Sequence, residues 1–277
     1  MPIFHAIVLG AVQGFTEFFP VSSSGHLVIV PWLFGWDDFD DESVQKAFDV
    51  AVHLGTLVAV VHFFRRDIGR LVVEGIAVAT GRRRPASVDG RLAWLLVLAT
   101  VPAAVVGVVA NDLINDLDDE LWLIALMLIV FGIVLFIADR LIPSRSADSF
   151  AGRDATAMGI GQSLALQPGV SRSAVTISVA RRLGFDREAA ARLAFLMSMP
   201  LIVGAAVFQF NDVGGLDGIP SDLRWPFIVG IVTSAVTGWL AVWGTLRLVQ
   251  TRSFAPFVVY RIALGVLVLA LLATPWR

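Results

Sequence analysis

Cysteine is missing altogether from the 277 residues, and lysine and tyrosine occur once each, as Lys46 and Tyr260. Without cysteine there is no disulfide framework, no thiol nucleophile and no Cys-ligated metal. Charge is scarce too, at 16% of residues, where a soluble domain carries about a quarter. So few charges cannot cover a wetted surface. The net charge of −2 leaves no basic excess to hold nucleic-acid phosphates, so no nucleic-acid partner is expected. No basic residue precedes the first apolar run, whose first charge is Glu17, so that run does not read as a cleavable signal.

What is abundant is apolar: 57% of residues are hydrophobic and the mean hydropathy is +0.78. A spanning helix needs about 20 such residues. Six stretches qualify: Ala47 to Phe64, Leu92 to Ala110, Leu121 to Ala138, Leu193 to Phe210, Trp225 to Leu246, and Pro256 to Thr274. Two others break midway. The run from Ile3 stops at Pro20 and Ser22-Ser-Ser-Gly-His26; the run from Thr156 stops at Pro168-Gly-Val-Ser-Arg-Ser173. Each half is too short to cross alone, and polar non-helical backbone at membrane depth is tolerated only inside protein or around a cavity. The expectation is an all-α polytopic membrane protein with six crossings and two re-entrant helix–loop–helix hairpins.

Charge placement supports that count. Arg65, Arg66, Arg70, Arg82, Arg83, Arg84 and Arg91 share one loop, which the positive-inside rule assigns to the cytoplasm. Alternation then puts Asn111 to Glu120 and Asn211 to Asp222 outside, and Arg140, Arg145 and Arg153 inside. Counting either hairpin as a full crossing moves an arginine cluster to the wrong face. The first hairpin therefore enters from outside and the second from inside.

The hairpins also align. Gly10/Gly159, Gln13/Gln162, Ser22/Ser171 and Ser24/Ser173 share one offset (159−10 = 162−13 = 171−22 = 173−24 = 149). Three crossings follow each hairpin, and an odd number inverts the second copy, as in many transporter folds. The chain reads as one membrane domain, 1–277, built of two inverted repeats, 1–142 and 151–277.

Glu17 is the first chemical anomaly. A carboxylate in an apolar run costs about 2.5–3.5 kcal/mol on insertion scales and normally faces a polar interior. Gln13 shares its helix face one turn earlier. Ser22, Ser23 and Ser24 precede His26, an imidazole able to carry protons near neutrality, and the helix starting there points its N-terminus at the tip. In the second hairpin Arg172 offers a planar fork suited to phosphate oxygens, flanked by the hydroxyls of Ser171, Ser173 and Thr176. Carboxylate, histidine, hydroxyls, arginine and two helix N-termini together suit phosphoryl transfer. His53 and His62 lie on the first crossing; His53 could face the site but reads at least as well as a core histidine, and Arg261 reads as paired with a carboxylate or snorkelling.

At Gln13-Gly-Phe-Thr-Glu17-Phe-Phe-Pro20-Val-Ser-Ser-Ser-Gly-His26 and Pro168-Gly-Val-Ser-Arg-Ser173, with Thr176, the sequence resembles the undecaprenyl-diphosphate phosphatase family of the bacitracin-resistance type. Phe48 to Gly55 and Leu183 to Arg192 extend the likeness along nearly the whole chain. The resemblance implies removal of one phosphate from a polyprenyl diphosphate carrier lipid, with a divalent cation (Mg²⁺ or Ca²⁺), in the cell membrane, from its outer face. It implies that Gln13 and Glu17 handle metal and water, with Glu17 as ligand. Ser23 and His26 become the nucleophile or base candidates, with attack by serine, histidine or water all open. Gln13, Ser22, Ser24, Ser171, Arg172, Ser173 and Thr176 are the substrate-binding candidates. Gln13 stands where many members have glutamate, and Ala174 where glycine is usual. A homo-oligomer is compatible with all of this. The rival reading is a transporter or flippase of a polyprenyl phosphate or other anion, since inverted repeats are transporter architecture.

Overall fold

The computed structural model describes residues 1–39, 41–82, 87–110, 117, 120–212 and 219–275, without the side chains of 208–212. Arg83, Arg84 and most of the acidic segments 111–120 and 211–222, used above for orientation, lie outside the described residues.

Eleven α-helices and no strand occur among the described residues: α1 (Ile3–Phe18), α2 (Ser23–Phe34), α3 (Glu42–Phe63), α4 (Arg65–Ala79), α5 (Val88–Val109), α6 (Leu121–Asp139), α7 (Gly152–Ser163), α8 (Arg172–Arg182), α9 (Arg187–Asp212), α10 (Arg224–Val249) and α11 (Ala255–Leu272). Six of them, α3, α5, α6, α9, α10 and α11, are long and apolar enough to cross a membrane, at the six places expected. Their outward faces carry bare valines, isoleucines and tryptophans such as Val108, Ile137, Trp243 and Val259. Apolar area on that scale is stable against lipid, not water. The chain is a multi-pass membrane protein.

Helix ends differ from the hydropathy reading where capping intervenes. The third helix begins at Glu42 rather than Ala47 because Asp41 caps it, its carboxylate accepting from Ser43 N–H at 2.7 Å. The arginine-rich connection after it is not all loop. Residues Arg65–Ala79 form α4, which buries Leu71 and Gly75 and leaves its arginines outward. A hydropathy scan misses it because the charged face cancels the apolar one.

The pairs α1/α2 and α7/α8 correspond to the two broken runs. Helix α1 lies along α10, which in turn lies along α3; α7 lies along α5. Both close contacts depend on glycine. A Cβ on Gly10 would sit 2.5 Å from Gly230 O, and one on Gly159 would sit 2.5 Å from Ala99 O. Only a residue without a side chain permits that backbone approach. These two glycines are the pair aligned above.

At the arginine-rich end, Arg145 reaches from the connection after α6 to Asp154 in the first turn of α7, with Nη1 and Nη2 donating at 2.9 and 2.6 Å. Burial alone would raise the Asp154 carboxyl; the two guanidinium bonds, the Ala151 N–H and the Arg145 and Arg153 charges outweigh it and hold it below the usual aspartate range. A depressed carboxyl contributes stability above its unfolded pKa, lost as pH falls through the folded one. Asp154→Asn is therefore expected to cost about 3 kcal/mol near neutrality, and the gap from wild type should narrow in acid. Thermal unfolding in detergent at both pH values measures this.

Candidate active site

Each short-helix pair turns on a serine in the left-handed region, Ser22 at φ 80° and Ser171 at φ 73°, the only non-glycine residues with positive φ among those described. Such backbone costs about 1–3 kcal/mol and persists where surroundings over-determine it. Capping is one such constraint: Ser22 Oγ accepts from Gly25 N–H at 3.3 Å, and Ser171 Oγ from Ala174 N–H at 3.2 Å. A cross-tip bond is another, because Gly169 N–H donates to Ser22 Oγ at 3.0 Å. The two tips are in direct contact.

Glu17, in the last turn of α1, is their shared centre. Arg172, the first residue of α8, donates through Nη2 to Glu17 Oε1 and through Nη1 to Ser198 O of α9 at 3.3 Å. On the other carboxylate oxygen, Gln13 Nε2 donates at 2.9 Å and Ser23 Oγ at 2.7 Å. His53 Nε2, from α3, stands 3.4 Å from that same oxygen. Its Nδ1 lies 2.6 Å from Asp49 O, so in the neutral ring Nδ1 holds the proton and Nε2 is an acceptor. Ser23 and Arg172 hold equivalent places in the two hairpins (172−23 = 149).

These groups edge a cavity of about 220 Å³. Its lining is polar at Glu17, Ser23, Ser24, His53, Gln162, Ser171 and Arg172 and apolar at Val50, Ala165, Leu166, Leu201, Ile202 and Ala205. The α2 and α8 N-termini, one guanidinium and three serines favour an anion. The apolar wall suits a lipid tail or linker beside it.

Not every site residue expected from sequence faces this space. Gln13 is fully buried behind Glu17. Ser22 is spent on capping and on the tip contact. Ser173 Oγ lies 3.2 Å from Ser171 Oγ and donates to Phe19 O at 3.4 Å, and Thr176 back-bonds to Arg172 O at 2.7 Å. His26 is buried away from the cavity wall. Its Nδ1 is 2.6 Å from Ser22 O, its Nε2 is 2.7 Å from Tyr260 Oη, and its ring stacks on Tyr260. Two cavity residues carried little weight in the sequence. His53 could be seen to lie on the first crossing, within the Phe48 to Gly55 stretch that resembles the family, but nothing local shows which helix face meets Glu17. Gln162 was visible only as the repeat partner of Gln13.

Among the described residues no group of three or more His, Asp or Glu side chains could hold a metal by itself. The donors still fit a hard cation that keeps substrate oxygens among its ligands. Glu17 is there, and the Oε1 atoms of both Gln13 and Gln162 are buried without a hydrogen-bond partner.

The fold thus defines a helical membrane protein in which two short-helix pairs meet at a carboxylate–arginine centre. The chain belongs to the family described as bacitracin resistance protein BacA, which it matches over residues 6–267. It is 44% identical over 272 residues to an undecaprenyl-diphosphatase of Nocardioides sp., covering 98% of this chain and 96% of that one. To the undecaprenyl-diphosphatase of Desulforudis audaxviator it is 47% identical over 273 residues, 97% of this chain and 98% of the other. For that of Geobacter sulfurreducens the figures are 44% over 275 residues, 98% and 99%.

Proposed function

We propose that this chain is an undecaprenyl-diphosphatase of the cell membrane, hydrolysing undecaprenyl diphosphate to undecaprenyl phosphate and inorganic phosphate. The observation that carries this reading is the Glu17 centre. One carboxylate accepts the Ser23 hydroxyl at 2.7 Å and pairs with Arg172 from the other hairpin. An anion carrier needs the arginine; it has no use for a hydroxyl held on a base.

Arg172, Ser171 and the N-termini of α2 and α8 bind the diphosphate. Ser23 Oγ attacks the terminal phosphorus, Glu17 takes its proton, and the anhydride P–O bond breaks to release undecaprenyl phosphate. Glu17 hands that proton to the departing undecaprenyl phosphate and, a carboxylate again, takes a proton from water; the water oxygen attacks the phosphoserine, the P–Oγ bond breaks, and Ser23 regains the proton from Glu17 as inorganic phosphate leaves. His26 has both ring nitrogens engaged elsewhere, which favours Ser23 over histidine as nucleophile. A divalent cation, Mg²⁺ or Ca²⁺, held by Glu17 together with diphosphate oxygens would neutralise charge there.

We place both broken helix pairs as re-entrant hairpins in two inverted repeats. Matched left-handed serines, matched capping, matched close-packed glycines and the buried Gln13/Gln162 pair, all at the offset of 149, support this. The test is phosphate release in detergent micelles, where no leaflets exist to transport between. Release that needs added Mg²⁺ or Ca²⁺ and stops in chelator is expected. No release in micelles, with lipid phosphate moving across vesicles, would establish the transporter instead.

A further inference from the structure

Arg261, midway along α11, has no task in the mechanism above, yet it is one of the most costly residues in the molecule to bury. It is 0% exposed, so it does not snorkel, and no carboxylate among the described residues pairs with it. Its donors go instead to five backbone carbonyls on three segments. Nε and Nη2 reach Leu128 O and Met127 O of α6 at 3.2 and 3.3 Å. Nη1 reaches Pro20 O of the first tip at 3.2 Å. Nη2 also reaches Gly169 O and Val170 O of the second tip at 2.8 and 3.1 Å.

Those carbonyls border the reacting groups. Pro20 lies between Glu17 and Ser23, and Gly169-Val170 immediately precede Ser171 and Arg172. Between themselves the tips share few bonds: Gly169 N–H to Ser22 Oγ, Ser173 Oγ to Phe19 O, and the Glu17–Arg172 pair. A planar guanidinium with five N–H groups in fixed directions can hold both tips against α6 at one spacing. An ammonium, three donors from one point, cannot span them.

We propose that Arg261 is a positioning residue for the hydrolysis, a clamp that fixes the Glu17–Ser23 pair relative to Ser171 and Arg172. It deepens the hydrolase reading and rests on it. Misplacement by about 1 Å at such a centre costs about 10²-fold in rate.

The test is Arg261→Lys in the full chain purified in detergent, with kinetics per folded molecule and hydrogen–deuterium exchange followed by peptide. We expect kcat to fall about 10²-fold with KM within about threefold. Exchange should quicken in peptides covering 19–26 and 168–176 and stay unchanged elsewhere. A kcat equal to wild type, a raised KM with kcat intact, or exchange quickened evenly along the chain would each overturn the clamp. The two failures separate: wild type releasing no phosphate overturns the hydrolase reading, whereas an active wild type with any of those three results overturns the clamp alone.

Discussion

Glu17→Gln is expected to lower phosphate release by about 10³-fold, the largest effect of any single change here. The amide is nearly isosteric, so the loss comes from charge and basicity. Glutamine cannot take the Ser23 proton, and half of its terminal group becomes a donor facing Gln13 Nε2 and the Ser23 hydroxyl. It also leaves the half-buried Arg172 with no carboxylate, which costs less than the about 3–5 kcal/mol of breaking a fully buried pair. Two readouts are therefore needed, activity per folded molecule and the melting temperature in detergent. Added Mg²⁺ or Ca²⁺ should restore less in this variant than in wild type. Near-normal turnover in Glu17→Gln at matched folded protein would remove Glu17 as the base.

Arg172→Lys keeps the charge and loses the fork, and is expected to cost about 10²–10³-fold in kcat/KM. In the resting protein Arg172 divides its donors between Glu17 on α1 and Ser198 O on α9. That division positions the guanidinium over the cavity while keeping the second tip against the first. Lysine satisfies one partner at a time. The expected signature is loss in both kcat and KM, since diphosphate binding and tip alignment fail together. Loss in KM alone would mean that Arg172 only attracts the substrate. An unchanged variant would remove it from the site.

Much of this protein was legible in its sequence for one physical reason: lipid is an unforgiving solvent. Spanning helices must be apolar for about 20 residues, so length and hydropathy alone located all six. Broken helices must spend their polar backbone on something, which made Pro20 and Pro168 conspicuous. Glu17 and Arg172 stood out because an ion in an apolar run is costly, and their need for partners already argued that the tips would meet. The amphipathic α4 escaped, since hydropathy averages over a helix while burial is decided face by face.

The rest depended on distances between residues far apart in the chain. Sequence nominated His26 because it follows three serines; folding turned that ring toward Tyr260, 234 positions away, and brought His53 to Glu17 instead. Nothing local distinguishes the two histidines, because which face of a helix meets a cavity is set by the helices packed beside it. Arg261 read as a snorkelling or paired charge, and only the convergence of α6 with both tips supplied five carbonyls in its place. Composition and periodicity determined that this chain lives in a membrane, carries six helices long and apolar enough to cross it and breaks at two polar tips, because each of those follows from the cost of polar groups in hydrocarbon. Tertiary packing alone decided that His53 and Arg172, 36 and 155 positions along the chain, touch Glu17, because contacts over such separations leave no local trace in the chain.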